Sequence, residues 1–273
     1  MKTRIISGIV MGVIVAAVLA LGFLVEPFII TIAIAVIAAG AVYELLHNAA
    51  GIKNKAVWIG GCVFAFLFIV SGETIFKPHY SFDFTSAFKT LVTLLYFLFA
   101  VIMILANNQK FDLGKIVTLF AIPLPYAYAF SYLLGVIKHD DGIYYLLLLL
   151  NFSSVCDMGA YFVGVTLGKH KLCPNLSPKK TVEGAIGGIV SSMIVTVIIS
   201  LCFSKSLIIP MLLTLPFCIL GMIGDLFASA IKRSVGLKDY SNLIPGHGGI
   251  LDRVDSIIMI VPFLHFAIIL GVI

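Results

Sequence analysis

Charge is what this sequence has least of. Asp, Glu, Lys and Arg make up 11% of its 273 residues and apolar side chains 61%, with a mean hydropathy of +1.14. So little charge cannot cover a water-exposed surface, which excludes an ordinary soluble domain. Five cysteines (Cys62, Cys156, Cys173, Cys202 and Cys218) are scattered with no CxxC pair. That excludes a disulfide framework and leaves free, buried thiols as the expectation. The GxxxxGK[ST] spacing of a nucleotide-binding P-loop is absent. So is any internal repeat of the kind on which many transporters are built.

What is present is apolar sequence in long runs. A helix needs about 20 apolar residues to cross about 30 Å of hydrocarbon. Nine runs approach that length: 5–24, 27–46, 56–71, 88–105, 116–137, 143–167, 182–203, 207–230 and 250–273. The third is short. The fifth carries Pro123 and Pro125, where a kink rather than a break is expected, because neighbouring helices can satisfy the freed backbone groups. Lys2 and Arg4 precede the first run as in a secretory signal, but the run is too long and lacks a cleavage site, so it reads as a retained helix. The expected fold is all-α, a polytopic integral membrane helical bundle of nine or so transmembrane helices. Scaffold helices are expected over 1–142, and a catalytic region with cytoplasmic loops over 143–273.

Cytoplasmic loops of membrane proteins collect Lys and Arg. With the N-terminus inside, the inner set is Lys2, Arg4, Lys53, Lys55, Lys110, Lys115, Lys169, Lys171, Lys179, Lys180, Lys232, Arg233, Lys238 and Arg253. The outer set is Lys77, Lys89, Lys138 and Lys205, a bias of fourteen to four. The loops after the sixth and eighth runs supply eight of the fourteen. Attraction to anionic headgroups needs only Lys and Arg in any order; these two loops interleave acids, Gly, Ser and His with the bases.

An ionised carboxylate within the membrane is costly unless paired, hydrated or metal-bound. Glu44, Asp157, Asp225, Asp252 and Asp255 lie within or at the edge of apolar runs. Asp157 follows Asn151, Ser153 and Ser154, and Gly159, Ala160 and Gly164 behind it would admit a neighbouring helix closely. Asp225, Ser229, Lys232 and Arg233 recur at i, i+4, i+7 and i+8, one helix face, and Asp252 and Asp255 at i, i+3. Several carboxylates at one membrane boundary point to a divalent cation. Oxygen-only ligands favour Mg²⁺ or Mn²⁺ over zinc, and Mg²⁺ is usually shared between one or two carboxylates and substrate phosphates.

Two glycine-punctuated basic loops supply anion chemistry. In "LIPGHGGI", Gly246, Gly248 and Gly249 free the backbone for tight turns at the start of a helix whose N-terminal amides can face an anion. In "KHKLCPNLSPKKTVEGAIGG", Thr181 is placed to cap a helix and Ser177, Lys179 and Lys180 to meet a polyphosphate, with the lysines acting as point charges. Together these features describe phosphoryl or nucleotidyl transfer to a lipid-borne substrate, where metal and fixed cations stabilise the reacting charge.

At these positions the sequence resembles the phosphatidate cytidylyltransferases, or CDP-diacylglycerol synthases. Their C-terminal signature, approximately S-x-x-K-R-x4-K-D-x-x-x-x-[LIF]-P-G-H-G-G-x-x-D-R-x-D, is met from Ser229 through Lys232, Arg233, Lys238, Asp239, Pro245, Gly246, His247, Gly248, Gly249, Asp252 and Arg253 to Asp255. A second stretch is matched by Asp157, Ala160, Tyr161, Gly164, Ser177, Pro178, Lys179, Lys180, Thr181, Glu183 and Gly184. The resemblance covers roughly residues 151–273, and it departs at Val165, where Arg often stands, and at Val182, where Trp is common.

The resemblance implies transfer of the cytidylyl group of CTP to phosphatidic acid, with Mg²⁺ and room for a second cation. It implies Asp225 and Asp252 as metal ligands, with Asp255 and Asp157 as additional or supporting ones. Lys232, Arg233 and Lys238 would hold the lipid phosphate or leaving pyrophosphate, and Lys179 and Lys180 the triphosphate. Ser177, Thr181, Glu183, Ser229, His247, Gly248 and Gly249 complete the expected substrate contacts, with His247 binding phosphate or fixing its loop. The partners expected are CTP, phosphatidic acid and the bilayer; no nucleic acid is expected, and a homodimer is one assembly the sequence leaves open. The location expected is a bacterial cytoplasmic (inner) membrane with the N-terminus and site on the cytoplasmic side. The rival reading is a membrane lipid transporter or flippase with a buried carboxylate cluster. It predicts an internal repeat and polar residues spread along several spans. The D-G-x-x-A-R…G-x-x-x-D-x-x-x-D pattern of CDP-alcohol phosphotransferases is missing.

Overall fold

A computed structural model describes residues 2–72, 84–106, 113–174 and 176–273. Lys77 and Lys110 of the charge sets lie outside the described residues, as do the side chains of Lys2 and Arg4. The helices are α1 (Lys2–Leu24), α2 (Phe28–Tyr43), α3 (Lys55–Val70), α4 (Phe84–Ala106), α5 (Leu113–Ala121), α6 (Pro123–Ile137), α7 (Gly142–Leu150), α8 (Cys156–Leu167), α9 (Val182–Cys202), α10 (Ile208–Ser234) and α11 (Leu251–Ile269). Wider, π-helical turns continue α2 over Glu44–Ala49 and join α7 to α8 over Asn151–Val155.

Every one of the nine apolar runs coincides with helix. Among the described residues, seven helical runs are long and apolar enough to cross a membrane: Ile6–Leu24, Phe28–Ala49, Thr85–Ala106, Leu113–Ile137, Gly142–Leu167, Val182–Cys202 and Ile208–Ser234. The other two are α3, with 16 residues, and α11, which carries Asp252, Arg253 and Asp255 near its start. The chain is a polytopic helical membrane protein. At the paired prolines the ladder is interrupted at Ile122, between α5 and α6, yet the Ile122 amide still reaches the Thr118 carbonyl at 3.2 Å and the Tyr126 amide the Ile122 carbonyl at 3.4 Å. The run therefore remains one span, as the tolerance of proline in membrane helices allows.

The chain forms two compact units, residues 1–134 with 239–253, and 135–238 with 254–273. In the first, Ala35, Ala38, Val42 and Leu46 of the second span are buried with Val57, Phe64 and Phe68 of α3. Large apolar side chains of α1 and α4, such as Ile9, Val13, Leu94 and Leu98, are exposed. In a bilayer that exposure faces acyl chains and carries no hydrophobic penalty.

In the second unit α8 and α9 pack through small residues. Gly184, Gly188, Ser192, Thr196 and Ser200 recur every fourth residue as the buried stripe of α9. A Cβ at Gly188 would run into the Cys156 carbonyl, and one at Gly159 into Ser191, so this approach requires glycine. Asn151, in the wide turn, donates to the Ser192 carbonyl at 3.0 Å and to Thr196 Oγ1 at 2.9 Å; Ser192 Oγ returns a bond to the Asn151 carbonyl at 3.2 Å. Such bonds contribute about 0.6 kcal/mol each inside a membrane, so they fix register more than they add stability. All five cysteines are free; Cys156 and Cys218 are buried, and Cys202 is exposed.

Candidate active site

The lysine-rich loop after α8 folds as a small hairpin, an element absent from the all-helical expectation. Strand β1 (Lys171–Cys173) pairs antiparallel with β2 (Ser177–Thr181), Lys171 opposite Thr181 and Cys173 opposite Ser177. Thr181 is extended and caps α9, its Oγ1 accepting the Gly184 amide at 3.1 Å. Glu183, the second residue of α9, accepts the Lys169 amide at 3.0 Å and the His170 amide at 3.1 Å, with His170 Nδ1 at 2.6 Å. Glu183 thus braces the chain entering the hairpin.

Under the hairpin lies a cavity of about 660 Å³, within the size range of small-molecule sites. Ser177, Lys171, Lys179 and Lys180 line it from the hairpin, Asp157 from α8 and Asp225 from α10. Lys180 Nζ forms an ion pair with Asp225 Oδ2. Asp157 lies within electrostatic range of Lys180 and Asp225, and Asp255 within range of Asp225, Lys232 and Asp157. Tyr161, Val165 and Met222 give the same cavity an apolar flank. Three ammonium groups, two carboxylates and an apolar wall suit an anionic, partly apolar ligand.

The donor set fits Mg²⁺. Its charged oxygens are the carboxylates of Asp157 and Asp225, and the ammonium on Asp225 already occupies the kind of place a cation takes. Among the described residues no three His, Cys, Asp or Glu side chains form a closed cage; Mg²⁺ rarely uses one, keeping positions for water and phosphate.

The glycine loop belongs to the first unit, and its anion-holding amides serve the protein's own carboxylates. The Ile244 amide bonds the Gly248 carbonyl at 2.8 Å and the His247 amide the Ile244 carbonyl at 2.9 Å, a turn that needs positive φ at Gly246 (78°) and Gly248 (87°). Asp252 Oδ2 accepts the Tyr240 and Gly249 amides, both at 2.9 Å. The next two amides go to Glu44: Ile250 to Oε1 and Leu251 to Oε2, each at 2.9 Å. Ser241 Oγ adds a bond to Glu44 Oε1 at 2.6 Å, and Glu44 is only 1% exposed. Negative charge at a helix start is stabilised by those amides and the helix dipole. His247 is held by α1, its Nδ1 2.8 Å from Ser7 Oγ.

Similarity to known proteins spans the whole chain. A sequence profile of the Cytidylyltransferase family matches residues 2–270. The chain belongs to the cytidylyltransferase family. It is 34% identical over 272 residues to the phosphatidate cytidylyltransferase of Bacillus subtilis (strain 168), covering 97% of each chain. It is 42% identical over 132 residues to that of Staphylococcus haemolyticus (strain JCSC1435), 48% of this chain and 51% of the other. The figure for Staphylococcus aureus (strain COL) is 41% over 132 residues.

Within this cytidylyltransferase fold, Asp157, Ser177, Lys179, Lys180, Thr181 and Asp225 line one cavity. The shared face expected for Lys232 and Arg233 divides: Lys232 is 8% exposed, whereas Arg233 is exposed and bonds the Leu237 carbonyl at 2.8 Å. Lys238 is exposed and Ser229 half-buried. Sequence reasoning overlooked Tyr161 and Met222 as cavity walls and any role for Glu44. The signal for Glu44 was an acid in an apolar run; its partners, some 200 residues away in the chain, carried no mark in the sequence.

Proposed function

We infer that the protein transfers the cytidylyl group of CTP to phosphatidic acid, forming CDP-diacylglycerol and releasing pyrophosphate. The observation that carries this reading is the 34% identity to a phosphatidate cytidylyltransferase across 97% of both chains. The lysine-and-carboxylate cavity built from the matching residues supports it, and family membership answers the transporter alternative.

A phosphate oxygen of the lipid attacks the α-phosphorus of CTP, a new P–O bond forms, and the bond to the β-phosphate bridging oxygen breaks. A phosphomonoester has its second pKa near about 6, so the nucleophile is already ionised at neutral pH and needs no strong base. Lys179 and Lys180 hold the triphosphate, with Lys171 and Ser177 on the same wall. The buried Lys232 acts with Arg233 and Lys238 on lipid phosphate or pyrophosphate, where compact ammonium groups supply charge and guanidinium a planar fork. Asp225 and Asp157 would hold Mg²⁺, with Asp255 in support; when bound, Mg²⁺ supplies charge stabilisation at the phosphates. The part given to Asp252 rests on the signature resemblance. We place the site on the cytoplasmic face of a bacterial cytoplasmic membrane, where the inner basic loops and CTP both lie.

The test is CTP-dependent appearance of CDP-diacylglycerol from phosphatidic acid by purified protein, beside Asp252→Ala. Product from wild type and none above background from Asp252→Ala is expected. No product from folded wild type overturns the reading.

A further inference from the structure

The carboxylate of Glu44 has no part in the cavity chemistry, yet it is among the most fully engaged side chains of its unit. It lies in the π-helical turn that continues α2, a widening that recurs at functional positions. Three donors, one before the glycine loop, one at its end and one at the start of α11, converge on its two oxygens: Ser241 Oγ at 2.6 Å and the amides of Ile250 and Leu251 at 2.9 Å. Four residues on, Asn48 of the same wide turn donates to the Tyr240 carbonyl at 2.8 Å. These anchors flank the groups that hold Asp252. Tyr240, fixed through its carbonyl by Asn48, gives its amide to Asp252 Oδ2. Gly249, next to the Glu44-bound Ile250, gives the other amide to the same oxygen. Gly249 lies so close to Glu44 that an added Cβ would overlap the carboxylate.

We propose that Glu44 is a positioning residue of the cytidylyl-transfer site: it sets the glycine loop and the first turn of α11, and through them the Asp252 carboxylate. The inference rests on the reading of Asp252 as a functional group. Groups that orient a functional ligand typically cost about 10- to 100-fold in metal affinity or activity when removed.

The experiment compares Glu44→Gln, Gly249→Ala and Asp252→Ala with wild type in detergent-purified protein. Turnover and the Mg²⁺ concentration for half-maximal activity are measured together with metal-free amide exchange over residues 244–255. In Glu44→Gln the amide of Ile250 or Leu251 loses its carboxylate acceptor and exchanges faster. Turnover falls, or the Mg²⁺ requirement rises, by about 10- to 100-fold, with the KM for phosphatidic acid within about threefold of wild type. Gly249→Ala, which forces the same carboxylate aside from the opposite partner, shows the same kinetic pattern. Should Glu44→Gln fail to fold, Gly249→Ala carries the test. Wild-type turnover and Mg²⁺ requirement in the folded variants, beside an inactive Asp252→Ala, overturns the proposal. So does a loss only in proportion to the folded fraction. A fully active Asp252→Ala overturns instead the role given to Asp252 on which the proposal rests.

Discussion

Asp225 and Glu44 both set a carboxylate at the edge of an apolar helix, and they are satisfied in different ways. Asp225 is 27% exposed at its side chain, lines a cavity and is matched by one ammonium, Lys180, on a hairpin. Glu44 is 1% exposed and held by two backbone amides and a hydroxyl, with no cation among those donors. A lysine on a flexible stem can leave a carboxylate when a stronger cation or a phosphate arrives. Backbone amides at a helix start cannot leave without unwinding it. The first arrangement suits exchange of partners, the second fixed geometry.

The comparison breaks first at Asp225. Asp225→Asn keeps the shape and removes the charge, and we expect CDP-diacylglycerol formation to fall by about 10²- to 10³-fold, the scale of losing one preorganised electrostatic group. Rates on folded protein check it; wild-type turnover would place the exchanging carboxylate elsewhere. Lys180→Met sharpens the same point from the cation side. A charge-assisted contact contributes about 1.5–3 kcal/mol, so kcat/KM for CTP should fall by about 10- to 100-fold, read from initial rates against CTP. The smallest effect belongs to a neutral cap: Thr181→Ala removes the acceptor for the Gly184 amide and should cost about 1 kcal/mol. A thermal melt in detergent should show a drop of about 2–4 °C.

The apolar runs were legible because a membrane imposes length and hydropathy on each span separately, so 5–24 or 182–203 could be read without its neighbours. Gly159, Ala160 and Gly164 were likewise read as a place for a close helix, and α9 packs against that segment. The hairpin at Lys171–Thr181 was not legible: strands of three and five residues rich in Lys and Pro show no alternation to read. Gly246 and Gly248 announced a tight turn, which their positive φ bears out. The amides behind that turn do bind negative charge, but from Glu44 and Asp252. Sequence alone offered no way to pair residue 44 with residues 241, 250 and 251, because one buried carboxylate specifies a need for donors and not which donors meet it.

The most direct measurement is the metal dependence of the reaction in purified, folded protein. CTP and phosphatidic acid are supplied after chelation, and Mg²⁺ is then titrated into wild type and Asp225→Asn in parallel. The account predicts no CDP-diacylglycerol before Mg²⁺ is added, restoration in wild type, and restoration in Asp225→Asn only at far higher Mg²⁺ or not at all. Full activity in chelated wild type, or identical titration curves for the two proteins, would contradict it.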